Sequence, residues 1–246
     1  MTAVISVRDL AKKYKDTLAV DHISFDIQKG SVTALLGGNG AGKTTTIAML
    51  LGVLTATSGT INILGHDMIK NRYPALARMN FSSPYLDLPR KLTVRENLMV
   101  YALLYNVPKP KSRIDELAEE LNLTNLLDRP SGKLSAGQQT RVSLAKSLIN
   151  APDVLLLDEP TASLDPDTAD RLRSSLLREK EKRGMTILLA SHNMREVEQI
   201  CDHVLMMRRG RVVDQGAPSD LISRYGRTDM EQVFLDIARA EEEDAA

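Results

Sequence analysis

An α/β fold carrying an antiparallel β lobe near its start and a helical lobe inserted in its middle is the class that this 246-residue sequence predicts. Three observations point to it. Val32 to Leu36 is a wholly apolar run that enters a glycine-rich turn and then opens a helical apolar face at Ile47, Leu50, Leu51 and Leu54. Two further buried-strand runs, Val154 to Leu157 and Thr186 to Ala190, occur late in the chain. Between them and the first run, from Thr93 to about Asn150, strand signals stop and helical periodicity takes over.

The elements follow in order. Val4, Ile5 and Val7 lead a first strand, and Ile23, Phe25 and Ile27 alternate with Ser24 and Asp26 in a half-buried second one. Tyr14 lies between them, where an aromatic ring is either filler at a strand end or a contact for something bound. Thr57-Ser58-Gly59 reads as a turn into a strand over Thr60 to Leu64 that ends at Gly65. A further strand passes near Asn80 and Phe81. Thr93-Val94-Arg95-Glu96 is a capping box that opens a helix through Leu98, Tyr101, Ala102 and Tyr105, with Pro108 and Pro110 expected to end it. A short helix near Ile114 to Leu121 follows. The next starts after Leu134-Ser135-Ala136-Gly137-Gln138, buries Val142, Leu144, Ala145, Leu148 and Ile149, and stops at Asn150 and Pro152. Pro166 opens a helix that closes at Gly184, and Val197 and Ile200 mark a short one. Val204 to Met207 and Arg211 to Val213 flank Arg209-Gly210 as a hairpin. Met230, Val233, Phe234 and Ile237 then repeat at helical spacing ahead of acidic residues 241–244, which read as a solvated tail. Residues 1–80 and 151–220 are thus expected to form the core with its β lobe, 81–150 the helical lobe, and 221–246 a terminal helix and tail.

The chemistry concentrates at the first glycine-rich turn. Gly37, four residues, Gly42, Lys43 and Thr44 fit G-x-x-x-x-G-K-[ST], a spacing in which backbone N–H groups wrap the phosphates of a nucleotide. Gly37, Gly38, Gly40 and Gly42 remove Cβ atoms where the backbone must approach the anion, and the following helix aims its positive end at it. Lys43 neutralises β/γ-phosphate charge. Thr44 offers a hydroxyl to the Mg²⁺ that nucleoside triphosphates carry.

Other residues narrow the reaction. Asp158 and Glu159 follow four apolar residues and are expected at the exposed carboxyl end of a buried strand. Asp158 there holds the Mg²⁺ shell and Glu159 orients or deprotonates an attacking water, the alternative being a pair of carboxylates in a turn before Pro160. Ser135 and Gly137 stand at a helix start, where Ser135 is an N-cap and also a second clamp for a γ-phosphate. His192, after the strand that ends near Ala190, is placed for a γ-phosphate contact or for an ordinary surface role. Asp165 before Pro166 is first of all a helix N-cap.

Composition excludes several classes. Lys plus Arg and Asp plus Glu number 32 each, so no bulk charge recruits nucleic acid, and none is expected as a partner. The basic clusters Lys12, Lys13 and Lys15, or Arg208, Arg209 and Arg211, read as solvated faces. Cys201 is the only cysteine, which excludes an internal disulfide and suits a reducing cytoplasm. No apolar stretch approaches the ~20 residues of a membrane span, and the first residues lack a signal-peptide core.

Taken in this order, the motifs resemble the nucleotide-binding subunits of ABC transporters over roughly residues 4–220. Gly37 to Thr45, including Asn39, Ala41 and Thr45, resembles their Walker A loop, and Leu134 to Gln138 their signature sequence. Val154 to Glu159 is similar to their Walker B strand, Ser163-Leu164-Asp165 to their D-loop, and His192 to their switch histidine. Tyr14 matches the aromatic that stacks on adenine. The resemblance implies a P-loop NTPase (RecA-like) core that binds ATP and Mg²⁺ and hydrolyses ATP. It also implies two copies facing head to tail, with each ATP between the Walker A loop of one and the signature helix of the other. One phosphate loop and one signature in the chain suit a homodimer. The implied partner is an integral membrane permease, and the implied location is cytoplasmic, peripheral on the inner face of the cell membrane. The Thr-Ala-Ser-Leu-Asp-Pro stretch and the tail with Val233 and Phe234 resemble most the branch of drug-resistance and nodulation-factor exporters. The alternative is a soluble ABC-type ATPase that works as a mechanical switch on ribosomes or DNA, but neither a second cassette nor a coiled-coil insertion is present. Two departures stand out. Ala136 occupies a position where the family usually has glycine, and the glutamine expected near Ser83 or Pro84 is missing, since no Gln occurs between Gln28 and Gln138.

Overall fold

The alternation of buried strands and helices along the chain is realised in a computed structural model that describes residues 3–83, 88–162 and 164–244, except the side chains of 239–244. In chain order the elements are β1 (Ala3–Tyr14), β2 (Thr17–Gln28), β3 (Val32–Leu36), α1 (Lys43–Leu50), β4 (Ser58–Ile63), β5 (His66–Asp67), α2 (Tyr73–Leu76) and β6 (Met79–Ser82). Then come α3 (Val94–Leu104), α4 (Pro110–Glu120), α5 (Ala136–Leu148), β7 (Val154–Asp158), α6 (Pro166–Arg183), β8 (Thr186–Ser191) and α7 (Met194–Ile200). The chain closes with β9 (His203–Arg208), β10 (Arg211–Gly216), α8 (Pro218–Arg224) and α9 (Met230–Asp244). Two compact units divide it, Met1–Ala75 with Thr186–Ala246, and Leu76–Met185.

The first unit holds an antiparallel sheet in the order β2-β1-β4-β5. Ile23, Phe25 and Ile27 of β2 point inward and Ser24 and Asp26 outward, as their alternation requires. β1 breaks its own alternation at Asp9, whose φ of 48° makes a bulge between Val7 and Leu10, after which Leu10 faces the core again. Gly59 is the counterpart: a Cβ there would stand 2.4 Å from the Asp9 carbonyl oxygen. The predicted turn at Thr57-Ser58-Gly59 is therefore corrected, because Ser58 already pairs with Ala11 and β4 begins there. The same unit contains β3, buried at every residue, with β8 and β9 parallel on its two sides and β10 antiparallel beside β9. Arg209 (φ 46°) and Gly210 (φ 80°) form the left-handed two-residue turn of that hairpin. Met230, Val233 and Ile237 bury one face of α9, which continues through the acidic residues expected to lie beyond it.

The second unit pairs β6 with β7 in parallel and holds α3 to α6, of which α5 packs on β6. Thr93 caps α3 with the full capping box to Glu96. The helix ends at Leu104, before either proline, and Asn106 with φ 52° turns the chain away. Pro110 instead opens α4, where a missing N–H costs nothing and a fixed φ suits the first turn. Asp165 caps α6 and Gly184, at φ 65°, closes it. Among the described residues, no helix is long and apolar enough to cross a membrane.

Candidate nucleotide site

In the first unit the glycine turn follows directly from β3. A Cβ on Gly37 would stand 2.4 Å from the Met207 carbonyl oxygen and 2.9 Å from the Ala41 methyl, so only glycine lets the chain leave β3 against β9. Gly42 sits at φ 102° as the N-cap of α1, 2.7 Å from the Ala19 carbonyl at the place where a Cβ would be. It brings no side-chain cap, and the first turn of α1 carries no acidic residue that would offset the positive end of the helix. Lys43 is buried and its ammonium donates to the carbonyls of Gly37 at 2.6 Å and Gly38 at 3.1 Å. Thr44, next along the helix, is exposed, while Thr46 turns back to donate to the Gly42 carbonyl at 2.9 Å.

Strand register brings His192 to the same edge. Leu36 of β3 lies opposite Ser191 of β8, so Gly37 and His192 are the first residues beyond two neighbouring parallel strands. Buried Ser191 donates to Glu196 at 3.0 Å and accepts from the Asn193 N–H at 3.0 Å, which fixes the backbone around exposed His192. Tyr14 ends β1 with 47 % of its surface exposed and the Lys12 ammonium 5.1 Å from its ring centroid, so it is not core filler.

The second unit carries the carboxylates and the signature segment. Ser82 lies opposite Leu157 in the β6–β7 pair, and so Ser83 and Asp158 stand side by side at the carboxyl edge. The expected exposure of Asp158 is corrected: it is the last residue of β7 and only 5 % exposed, because the strand runs one residue past its apolar stretch. Glu159 follows at φ 51°, a conformation that a non-glycine residue adopts at some cost and that turns the chain sharply out of the strand.

Ser135 is exposed at the start of α5, where its hydroxyl accepts from the Gln138 N–H at 3.3 Å and the Gln138 side chain accepts from the Ser135 N–H at 3.0 Å. Ala136 is the first residue of that helix and does not take a positive φ, so the freedom of a glycine is not used there. At Gly137 a Cβ would meet the Thr168 methyl of α6 at 3.4 Å. Asp165 accepts from the Thr168 N–H at 3.0 Å, and its hydrogen bonds, first of all to the Thr168 side chain, hold its carboxyl below the usual carboxylate range. Ser163, Pro84 and Tyr85 of the predicted segments lie outside the described residues.

Sequence reading missed a row of polar contacts between α5 and β6. Ser143 and Ser82 share a hydroxyl hydrogen bond of 2.9 Å, and the Lys146 ammonium donates to the Phe81 carbonyl at 2.7 Å while lying 5.4 Å from the Tyr101 ring centroid. Asn150 accepts from the Asn80 side chain at 2.9 Å and donates to the Met79 carbonyl at 3.1 Å. The signal was the spacing of Ser143, Lys146 and Asn150 at i, i+3 and i+7, with Asn150 just past the end of α5 at Leu148.

A family model described as ABC transporter matches residues 20–162. The chain belongs to the ABC transporter family. Among curated proteins, the cassette is 38 % identical over 238 residues to the Nod factor export ATP-binding protein I of Burkholderia thailandensis, covering 94 % of this chain and 77 % of that protein. It is 36 % identical over 240 residues to the bacitracin transport ATP-binding protein BcrA of Bacillus licheniformis, covering 98 % and 78 %. Among solved structures, the ATP binding subunit of an ABC transporter superposes with a TM-score of 0.87 at 26 % identity, over 96 % of this chain and 99 % of that one. The P-loop NTPase cassette fold, the ATPase activity and the kinship with exporter ATP-binding subunits follow from these likenesses.

Proposed function

We propose that this cassette works as a pair of copies around two MgATP and drives a separate membrane-spanning subunit, in export, from the cytoplasmic face of the membrane. The observation that carries the nucleotide reading is the turn after β3, where buried Lys43 reaches back over the Gly37 and Gly38 carbonyls ahead of a helix whose first turn has no acid. Export and a membrane partner draw support from the two relatives, which are export and transport ATP-binding proteins. A switch on ribosomes or DNA has no such support.

The assigned roles follow from side-chain chemistry. Gly37, Gly38, Asn39, Gly40, Ala41 and Gly42 present backbone amides to the phosphates, with Lys43 adding charge and Thr45 completing the first turn. Tyr14 stacks on the base. Glu159 takes the proton of the attacking water, and His192 holds the γ-phosphate. Ser135 and Gly137 of the second copy close over that phosphate, with Asp165 holding the start of α6 beside them. Bound Mg²⁺ would offset the negative charge gathered on the phosphates. Thr44 and Asp158 each offer it one hard oxygen, the kind of donor that Mg²⁺ takes alongside phosphate oxygens and water.

Light scattering on Glu159→Gln tests the pairing. The variant keeps the hydrogen-bonding shape of the side chain but accepts no proton, so with MgATP its mass should double and with MgADP it should not. A mass that stays monomeric at saturating MgATP contradicts the proposed pairing.

A further inference from the structure

The row of contacts between α5 and β6 has a direction. Its members do not bind the strand evenly: Asn150 ties the amino end, at Met79 and Asn80, whereas Lys146 and Ser143 tie the carboxyl end, at Phe81 and Ser82. One residue further on, Ser83 is buried next to Asp158 in register. Among the described residues, Ser82, Ser83 and Ser143 also line one cavity of about 250 Å³ with Ala136 and Gln139 from the start of α5. The helix that begins at the signature serine is thereby fastened, along its own length, to the strand end that stands beside the metal-binding carboxylate.

We propose that Ser143 and Lys146 are positioning residues, which fix the carboxyl end of β6 to α5 and so set where Ser83 stands relative to Asp158. The proposal rests on the assignment of Asp158 to the Mg²⁺ shell. Ser83 has a short side chain, so where the backbone of that strand end stands decides how near its hydroxyl comes to Asp158. A shift of about 1 Å at a reacting centre costs roughly 100-fold in rate, far more than the stability effect of one hydrogen bond suggests. Lys146 is well placed to hold the strand end. Its ammonium sits between one carbonyl and one aromatic face, and it loses the bond if the strand end moves away.

The test compares Ser143→Ala, Lys146→Met and Asn150→Ala in the full chain, each assayed for ATP affinity, turnover, thermal midpoint, and amide exchange over residues 81–83 without nucleotide. Ser143→Ala and Asn150→Ala should lower the midpoint, whereas Lys146→Met, which also sheds a buried charge, should not. Only Ser143→Ala and Lys146→Met should speed exchange at 81–83 and lower kcat, by roughly 10- to 100-fold, with ATP affinity held within about twofold. Lys146→Arg, which still donates to a carbonyl, should recover most of the rate. Ser82→Ala removes the same bond as Ser143→Ala, so the double variant should lose no more than either single one. If Asn150→Ala loses turnover as deeply as the other two, or if all three keep kcat, the contacts are packing alone and the proposal falls. A wild-type chain that exchanges as expected but neither binds nor turns over ATP would sink the ATPase reading instead.

Discussion

The Lys43 ammonium lies 2.6 Å from the Gly37 carbonyl oxygen, so the residue at the first position of α1 reaches back across the whole glycine turn. A buried cation held by carbonyls is poised to exchange them for a stronger anionic partner. Lys43→Ala should therefore weaken ATP binding by roughly 100-fold or more, measured by calorimetry, with a thermal midpoint close to that of the parent. Equal ATP affinity in the two proteins would remove Lys43 from the site.

Placing the phosphate loop of one copy against the signature helix of the other gives a complementation test. Lys43→Ala spoils the loop and Ser135→Arg puts a bulky cation at the exposed start of α5, so each homodimer should lack hydrolysis. In a mixed dimer both defects fall in one site and the other site is intact. Mixing two inactive variants should thus restore a fraction of turnover. No recovery in mixtures, with dimers demonstrably formed, would contradict sites shared between copies.

Lys146 gives the stability curve a slope. Burial lowers its ammonium from the ordinary 10.5 to about 8. Below pH 8 both folded and unfolded chains hold this proton, and the fold carries the full cost of a buried charge. Between pH 8 and 10.5 the folded chain releases the proton while the unfolded chain keeps it, so stability rises with pH by up to roughly 3 kcal/mol. Urea unfolding of parent and Lys146→Met across this window should show the slope in the parent and its loss in the variant. Parallel curves would mean that Lys146 titrates as it does in water.

What was legible in the sequence was local. The apolar runs at Val32, Val154 and Thr186 became fully buried strands, and Thr93, Ser135 and Asp165 became caps, because a strand's burial pattern and a helix's first turn are set within a few residues. The misreadings arose where a distant partner decides. Thr57-Ser58-Gly59 reads as a turn, but Asp9 of β1 packs against Gly59, and Asp158 reads as exposed, but β7 runs on through it. Pro110 looked like a stop because the helix it opens is weakly apolar at its start. α8 was overlooked although Pro218 at its first position and Asp220 in its first turn are ordinary start signals. The ties from Ser143 and Lys146 to β6 span more than 60 residues of sequence, and only the spacing along α5 hinted at them.

The most direct measurement is steady-state ATP hydrolysis by Glu159→Gln beside the parent, with ATP binding followed in the same samples. Glu159 leaves β7 through a left-handed backbone step at φ 51°, and its proposed role as general base is what the variant tests. The account predicts that the variant binds ATP as the parent does and hydrolyses it roughly 10²- to 10⁴-fold more slowly, the usual contribution of a general base. Hydrolysis at the parent's rate with ATP bound would contradict it.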